Sequence, residues 1–374
     1  MMSASGVDVV ASTDGPPARG WRGAFEWSAT SAPVALLLIT GIALGPRGIN
    51  LLSTSVLPLL NPVVPVALAA LGVLVGLGSS GRRPGNRRVV GAATLGASVT
   101  LLIVGLGVGS VGATDIAASV PLFWTVAAIC GISAATSLTL PTGDPLEPAS
   151  SAARAREAGV LLPIVAGGLL IAWLRAESAT EALTLLGEAS AITLALAAAS
   201  WLLLTRTSSV TEERVFAISA LLLMGGAADA LGQSALLAGL IGGVFWRHVG
   251  GVPRDTLRRD VLFVQHPLFV LVLLVAGARA ELSLVTITLG LIYAILRVAG
   301  TLIAGQLTAR VGKPHLSGDL GRQLLRPGVF GVAFALNAAT VAGGDASILL
   351  ATVVAGTIAS EAAALLLLPR GGSE

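Results

Sequence analysis

Among the ionisable and hydroxyl side chains within otherwise apolar stretches of this chain, Thr136, Ser137, Glu188, Asp229, Arg297 and Glu361 are the candidates for chemistry. Arg297 lies in the middle of LSLVTITLGLIYAILRVAGTLIAGQLTAR, a run long enough to cross a bilayer. An arginine at the bilayer centre costs at least ~2.5–3.5 kcal/mol, so it must face a partner or a wet cavity, and it marks a functional site by default. Glu361, in VVAGTIASEAAALLLLPR, is the sharpest candidate for that partner. Arg297 and Glu361 each stand 16 residues beyond the acid that opens their span, Glu281 and Asp345, and so sit at similar depth. Such a pair would be structural, and removing one partner would cost ~3–5 kcal/mol. Two other arrangements stay open. Arg297 is held by carbonyls at the end of an interrupted helix, or its charge binds an anion. Glu188, two turns inside its span, and Asp229, near a span end, read more simply as an interhelical hydrogen-bonding group and a helix-end acid.

Two stretches carry the marks of interruption. FWTVAAICGISAATSLTLPTGDP places Gly131 and the run Ser133 to Ser137 where a helix can unwind. LGRQLLRPGVFGVAFALNAATVAGG carries Pro327, Gly328 and Gly331. Discontinuous helices in two halves of a membrane chain point to a transport site, because freed backbone groups and helix ends can hold an ion. Ordinary close packing of small residues is the competing explanation.

Composition supplies the setting. Charged residues make up 11% of the chain and hydrophobic residues 54%, with 46 glycines and a mean hydropathy of +0.88. Soluble domains carry about 25% charged residues. The few aromatics and weak alternation argue against an outer-membrane barrel. The sequence pI near 9.9 comes from arginines between spans, and no basic face suited to nucleic acid appears. Cys130, the single cysteine, reads as packing.

Apolar stretches predict about twelve transmembrane helices, at 28–45, 60–79, 89–112, 117–140, 157–175, 182–204, 214–231, 233–247, 260–278, 282–309, 323–343 and 346–369. With both termini in the cytoplasm, 19 basic residues fall in cytoplasmic segments and 3 (Arg47, Arg175, Arg279) in outer ones. That bias fixes the expected orientation of a multi-pass cell-membrane protein. Trp173, Trp201 and Trp246 fall near span ends, where interfacial tryptophans are expected. The expected domains are a cytoplasmic tail at 1–27, one transmembrane domain at 28–370 and a short tail at 371–374. The Arg82, Arg83, Arg87, Arg88 turn needs only topology and anionic headgroups to explain it.

In that framework the chain resembles the cation:proton antiporter superfamily, the bacterial Na+/H+ and K+/H+ exchangers. The resemblance rests on ITGIALGPRGINLL, VALAALGVLVGLGSS, SAATS at 133–137, ALLLMGGAADALGQSALLAGLIGGV, QHPLFVLVLLVAGARAEL and LLRPGVFGVAFAL, in that order. It implies an all-α fold with two inverted three-helix repeats, spans 3–5 and 10–12, whose broken spans 4 and 11 cross. It also implies a homodimer in a lipid bilayer, exchange of a monovalent cation for a proton by alternating access, and a transport core of Thr136, Ser137 and Arg297, to which the depth argument adds Glu361. Arg297 falls where the family places a basic residue.

The departure from the family lies in the fifth span. Exchangers carry one or two acids there, and competition of cation and proton for the carboxylate couples the exchange. Here the matching stretch, about Pro163 to Gly168, holds no acid. Glu157 lies about 12 Å away by helical rise and reads as a loop-end charge. The gap keeps two alternatives in play: a scaffold that has lost transport, and a carrier of an anion or neutral solute using Arg297. His248, His266 and His315 have no neighbours at metal-ligand spacing, and no nucleophile motif or phosphate loop appears in the sequence. No enzyme activity, cofactor or metal is therefore expected.

Overall fold

The structure, a computed structural model, describes residues 34–78, 86–113, 120, 123–136, 151–207, 209–250, 252–312, 321, 324–325, 327–343 and 347–367. Side chains are described at these positions except 86–87, 113, 151–157, 210, 252–260 and 262–266. The expected tails, Ser137, His315 and the side chains of Glu157 and His266 lie outside what is described.

The described residues form twelve α-helices. They are α1 (Val34–Leu44), α2 (Val63–Gly78), α3 (Asn86–Ser110), α4 (Phe123–Ala134), α5 (Ser151–Arg175) and α6 (Ala179–Leu204). The second half comprises α7 (Val210–Ala230), α8 (Ala235–Val249), α9 (Val252–Arg279), α10 (Leu284–Val311), α11 (Val329–Ala342) and α12 (Ser347–Leu367). Ser178, Ser209, Ser234 and Ser283 start α6, α7, α8 and α10, each hydroxyl accepting a first-turn N–H at 3.2 Å. A helix end near lipid needs such caps, because the bilayer core offers no water to the free donors.

Each helix falls on one of the twelve expected segments, but the lengths differ from expectation. Six apolar segments are long enough to cross a membrane: Leu57–Gly78, Arg88–Ser110, Ala158–Arg175, Ala179–Leu204, Leu284–Val311 and Ser347–Leu367. Five further apolar helices are shorter, among them α4 and α11. At 1.5 Å per residue α4 and α11 rise only about 18 and 21 Å, against a hydrocarbon core of about 30 Å. Neither crosses alone as a helix.

Of the four residues expected at the interruptions, Pro327 and Gly328 lie outside helix and Gly131 and Gly331 lie inside it. Gly131 is not a break: α4 runs through it and ends at Ala134. Its missing side chain instead admits α3, since a Cβ there would stand 2.7 Å from the Leu101 carbonyl oxygen. On the other side, Gly328 is the extended N-cap of α11 and Pro327 precedes it, so both lie in non-helical backbone. Gly331 lies inside α11.

Glycines set the tightest helix crossings. Gly72 and Gly76 of α2 face Gly239 and Gly243 of α8, two small-xxx-small pairs that bring backbone onto backbone. A Cβ on Gly76 would lie 2.7 Å from Leu240 O, and one on Gly243 2.6 Å from Val73 O. Gly41 and Gly277 do the same for α1 and α9, and Gly290 and Gly356 for α10 and α12. Helix α3 packs along α10 as well as along α4 and α5, and α10 packs along α12. Trp246 does not sit at an interface: it is 0% exposed and donates its ring N–H to Ala197 O at 2.8 Å. Trp201 and Trp173 keep partly and largely exposed rings.

Gly239→Ala should destabilise the folded protein by about 1–3 kcal/mol, because backbone atoms cannot move aside as a side chain can. Gly226, which has open space around it, serves as the control: Gly226→Ala should be neutral or stabilising by up to about 1 kcal/mol. Unfolding titrations in mixed micelles read both.

Candidate functional site: an arginine where two short helices meet

Helix α10 presents one buried face, with Thr286, Gly290, Tyr293, Arg297, Thr301, Ala304 and Thr308 at three- and four-residue spacing. Arg297 is 2% exposed. Its Nη1 donates to the Leu325 carbonyl at 3.3 Å and to Ser360 Oγ at 3.2 Å. Leu325 lies in the non-helical approach to α11, so its carbonyl is free to take a side-chain donor. Ser360 in turn donates to Thr357 O at 3.0 Å. Arg297 Nη2 is enclosed and has no hydrogen-bond partner. Hydrogen bonds to a charged group contribute about 1.5–3 kcal/mol net. The interrupted backbone therefore anchors the guanidinium.

Glu361 does not form the expected ion pair with Arg297. Its carboxylate accepts the Ala35 N–H in the first turn of α1. Successive residues on a helix point about 100° apart at 3.6 per turn. With Ser360 turned toward Arg297, Glu361 is turned toward α1. The negative charge still acts on Arg297 through space, and at a helix N-terminus it stabilises α1 by about 0.3–1 kcal/mol. Of the three arrangements open to Arg297, the described contacts are those of a charge held by carbonyl and hydroxyl oxygens at a helix interruption.

The end of α4 meets the start of α11. Ser133 Oγ donates to Gly331 O at 2.9 Å, and Thr136 Oγ1 donates to Ser133 O at 2.6 Å. Both side chains are buried. Gly331 has to be glycine here: a Cβ would stand 2.7 Å from Ser133 O and 2.8 Å from Thr136 Oγ1. The last carbonyls of α4 and the first N–H groups of α11 lack intrahelical partners, so the crossing carries opposite partial charges at close range.

Between Ala158 and Ala172 the fifth helix carries no polar side chain. Helix α5 is continuous through Pro163. The space a Cβ on Gly167 would take is filled by the Phe334 ring of α11, and the space at Gly168 by Leu237 of α8. Glu188 and Asp229 are exposed on α6 and at the end of α7, so neither lines the crossing.

Other polar residues in the core stand out in the structure and not in the sequence reading. Asn337, 3% exposed, donates from Nδ2 to Ser234 Oγ at 3.0 Å. Gln233, 5% exposed, has neither amide atom partnered. Asn337 was visible as an amide inside FALNAATVA, and Ser360 as the neighbour of Glu361. Both are short neutral groups, which a search for charges passes over.

No protein-family model matches the chain, and no curated protein sequence matches it. A solved structure does: the sodium proton antiporter MjNhaP1 from Methanocaldococcus jannaschii, at pH 8, with a TM-score of 0.60. The match covers 89% of this chain and 91% of the antiporter. The fold is that of a sodium proton antiporter. At 19% identity the likeness is one of fold. Combined with the long apolar helices, the antiporter fold makes the chain a multi-pass membrane protein.

Within this antiporter fold the Gly167–Phe334 contact has a measurable consequence. Gly167→Ala should cost about 1–3 kcal/mol of stability by overpacking. Adding Phe334→Ala should cost less in that background than in the wild type. Purely additive effects of the two substitutions would contradict the packing.

Proposed function

We propose that this chain is a secondary transporter working by alternating access around the crossing of α4 and α11, exchanging a monovalent cation for a proton. The fold supports the reading, and the single observation that carries it is the buried Arg297, held by the interrupted approach to α11. A charge kept at that depth is retained at a cost, and α11, whose approach holds it, is too short to cross unaided. In this reading α3–α5 and α10–α12 are inverted repeats. One transmembrane domain spans 28–370 with both termini in the cytoplasm of the cell membrane, and the protein works as a homodimer without enzymatic activity or cofactor. Ser133, Thr136 and the carbonyls at the end of α4 offer oxygens to a cation, with Ser137 beside them in sequence. Among the described acids Glu361 is the one whose charge acts on Arg297, so the coupled proton is assigned to it.

The packing of Phe334 and Leu237 on Gly167 and Gly168 favours a second reading. Where exchangers place a carboxylate, this chain has an apolar seal, which suits a carrier of a neutral solute or an anion, or a scaffold without transport. A pH-gradient dequenching assay in proteoliposomes with Na+, K+ and Li+ separates the two. Exchange predicts a cation-evoked pH response that Arg297→Ala abolishes and Glu188→Ala leaves intact. No response to any of the three cations contradicts exchange and leaves the second reading.

A further inference from the structure

The polar residues at the α7–α8 turn lie outside the crossing, and the transport reading gives them no task. The turn is built tightly. Gly232 adopts φ +59°, Gly232 N donates to Asp229 O at 2.9 Å, and Gln233 N donates to Ala228 O at 2.7 Å. The main chain of Gln233 is therefore fixed, and its side chain is committed to the interior. Ser234 Oγ accepts from Leu237 N at 3.2 Å and from Asn337 Nδ2 at 3.0 Å. Both amide atoms of Gln233 are enclosed without a partner.

The place of this group follows from the glycine contacts. Leu237 lies on Gly168 and Phe334 on Gly167. Ser234 precedes Leu237 by three residues on α8, and Asn337 follows Phe334 by three on α11. One helical turn thus separates the apolar pair from the hydrogen-bonded pair on each helix. Three residues before Phe334, Gly331 takes part in the crossing. Along α11 the order is crossing, apolar layer, amide and hydroxyl group.

We propose that Gln233, Ser234 and Asn337 form a subsite for a small uncharged solute with adjacent donor and acceptor groups, such as a primary amide. The site is closed in this conformation. It opens when α8 and α11 part at the Asn337–Ser234 hydrogen bond. The subsite deepens the neutral-solute reading above and rests on transport only for its purpose, not for its binding. A buried amide without a partner is destabilising, and a conformation that supplies one removes that penalty. A primary amide matches Gln233 because it can donate to Oε1 and accept from Nε2 at once. A bare cation does not match. Ser234 Oγ already accepts two hydrogen bonds, and the unpartnered Gln233 amide carries N–H hydrogens as well as an oxygen. A bound anion would find no charged donor in the trio.

The test uses full-length protein in detergent, with acetamide as the probe and thermal unfolding as the readout. Acetamide should raise the wild-type midpoint along a saturating curve, and Gln233→Leu should lose the saturating part. Asn337→Asp, a smaller change than truncation, should weaken it. A wild-type curve that does not saturate, or saturation that persists in Gln233→Leu, overturns the proposal. So does a matching rise with NaCl, which would make the trio a cation site. Osmotic light scattering of proteoliposomes in acetamide separates binding from transport. Saturable binding without protein-dependent uptake upholds the subsite and counts against the neutral-solute transport reading.

Discussion

A bilayer core supplies no hydrogen-bond partners, and Arg297 must be satisfied by the protein around it. This constraint organises the core of the described chain. Satisfying a guanidinium inside a helix bundle requires a free carbonyl, and regular helices have none in their middles. The non-helical approach to α11 provides one at Leu325, and Ser360 of α12 provides a hydroxyl. The interruption of α11 and the buried arginine therefore explain each other. Helix packing alone would explain the glycines but not a charge directed at an unwound backbone.

Small residues make the rest of this geometry reachable. Gly331 lets Ser133 and Thr136 approach the start of α11, and Gly290 and Gly356 bring α12 close enough for Ser360 to reach Arg297. Gly167 and Gly168 have a different effect. They admit Phe334 and Leu237 and make the meeting of α5 with α11 and α8 an apolar contact. The antiporter fold is present, and apolar packing fills it at that place. The fold and the coupling chemistry are thus separate questions in this chain.

Much of the fold was legible in the sequence because the positions of apolar stretches are read directly from it. The twelve segments each contain a helix. The ends of the broken helices were not legible: an apolar residue scores alike in a helix and in an unwound segment, so the interruptions of α4 and α11 could be read but not the residues at which each helix stops. Gly131 shows the same limit, since glycine serves close packing and helix breaking equally well, and only the position of α3 distinguishes them. For the site, the depth of Arg297 and Glu361 was legible, but the direction of each side chain was not. One residue of helical rotation gives Ser360 to Arg297 and Glu361 to α1. Trp246 likewise lies near a span end yet faces the interior, where Ala197 O takes its N–H.

The account depends on Arg297 being held by uncharged oxygens and not by a carboxylate. A double-mutant cycle on unfolding free energy measures this directly, pairing Arg297→Met with Ser360→Ala and, separately, with Glu361→Gln. The predicted coupling with Ser360 is about 1–2 kcal/mol, and that with Glu361 no more than about 0.5 kcal/mol. A coupling of about 3 kcal/mol with Glu361 and none with Ser360 would contradict the account and restore the ion pair.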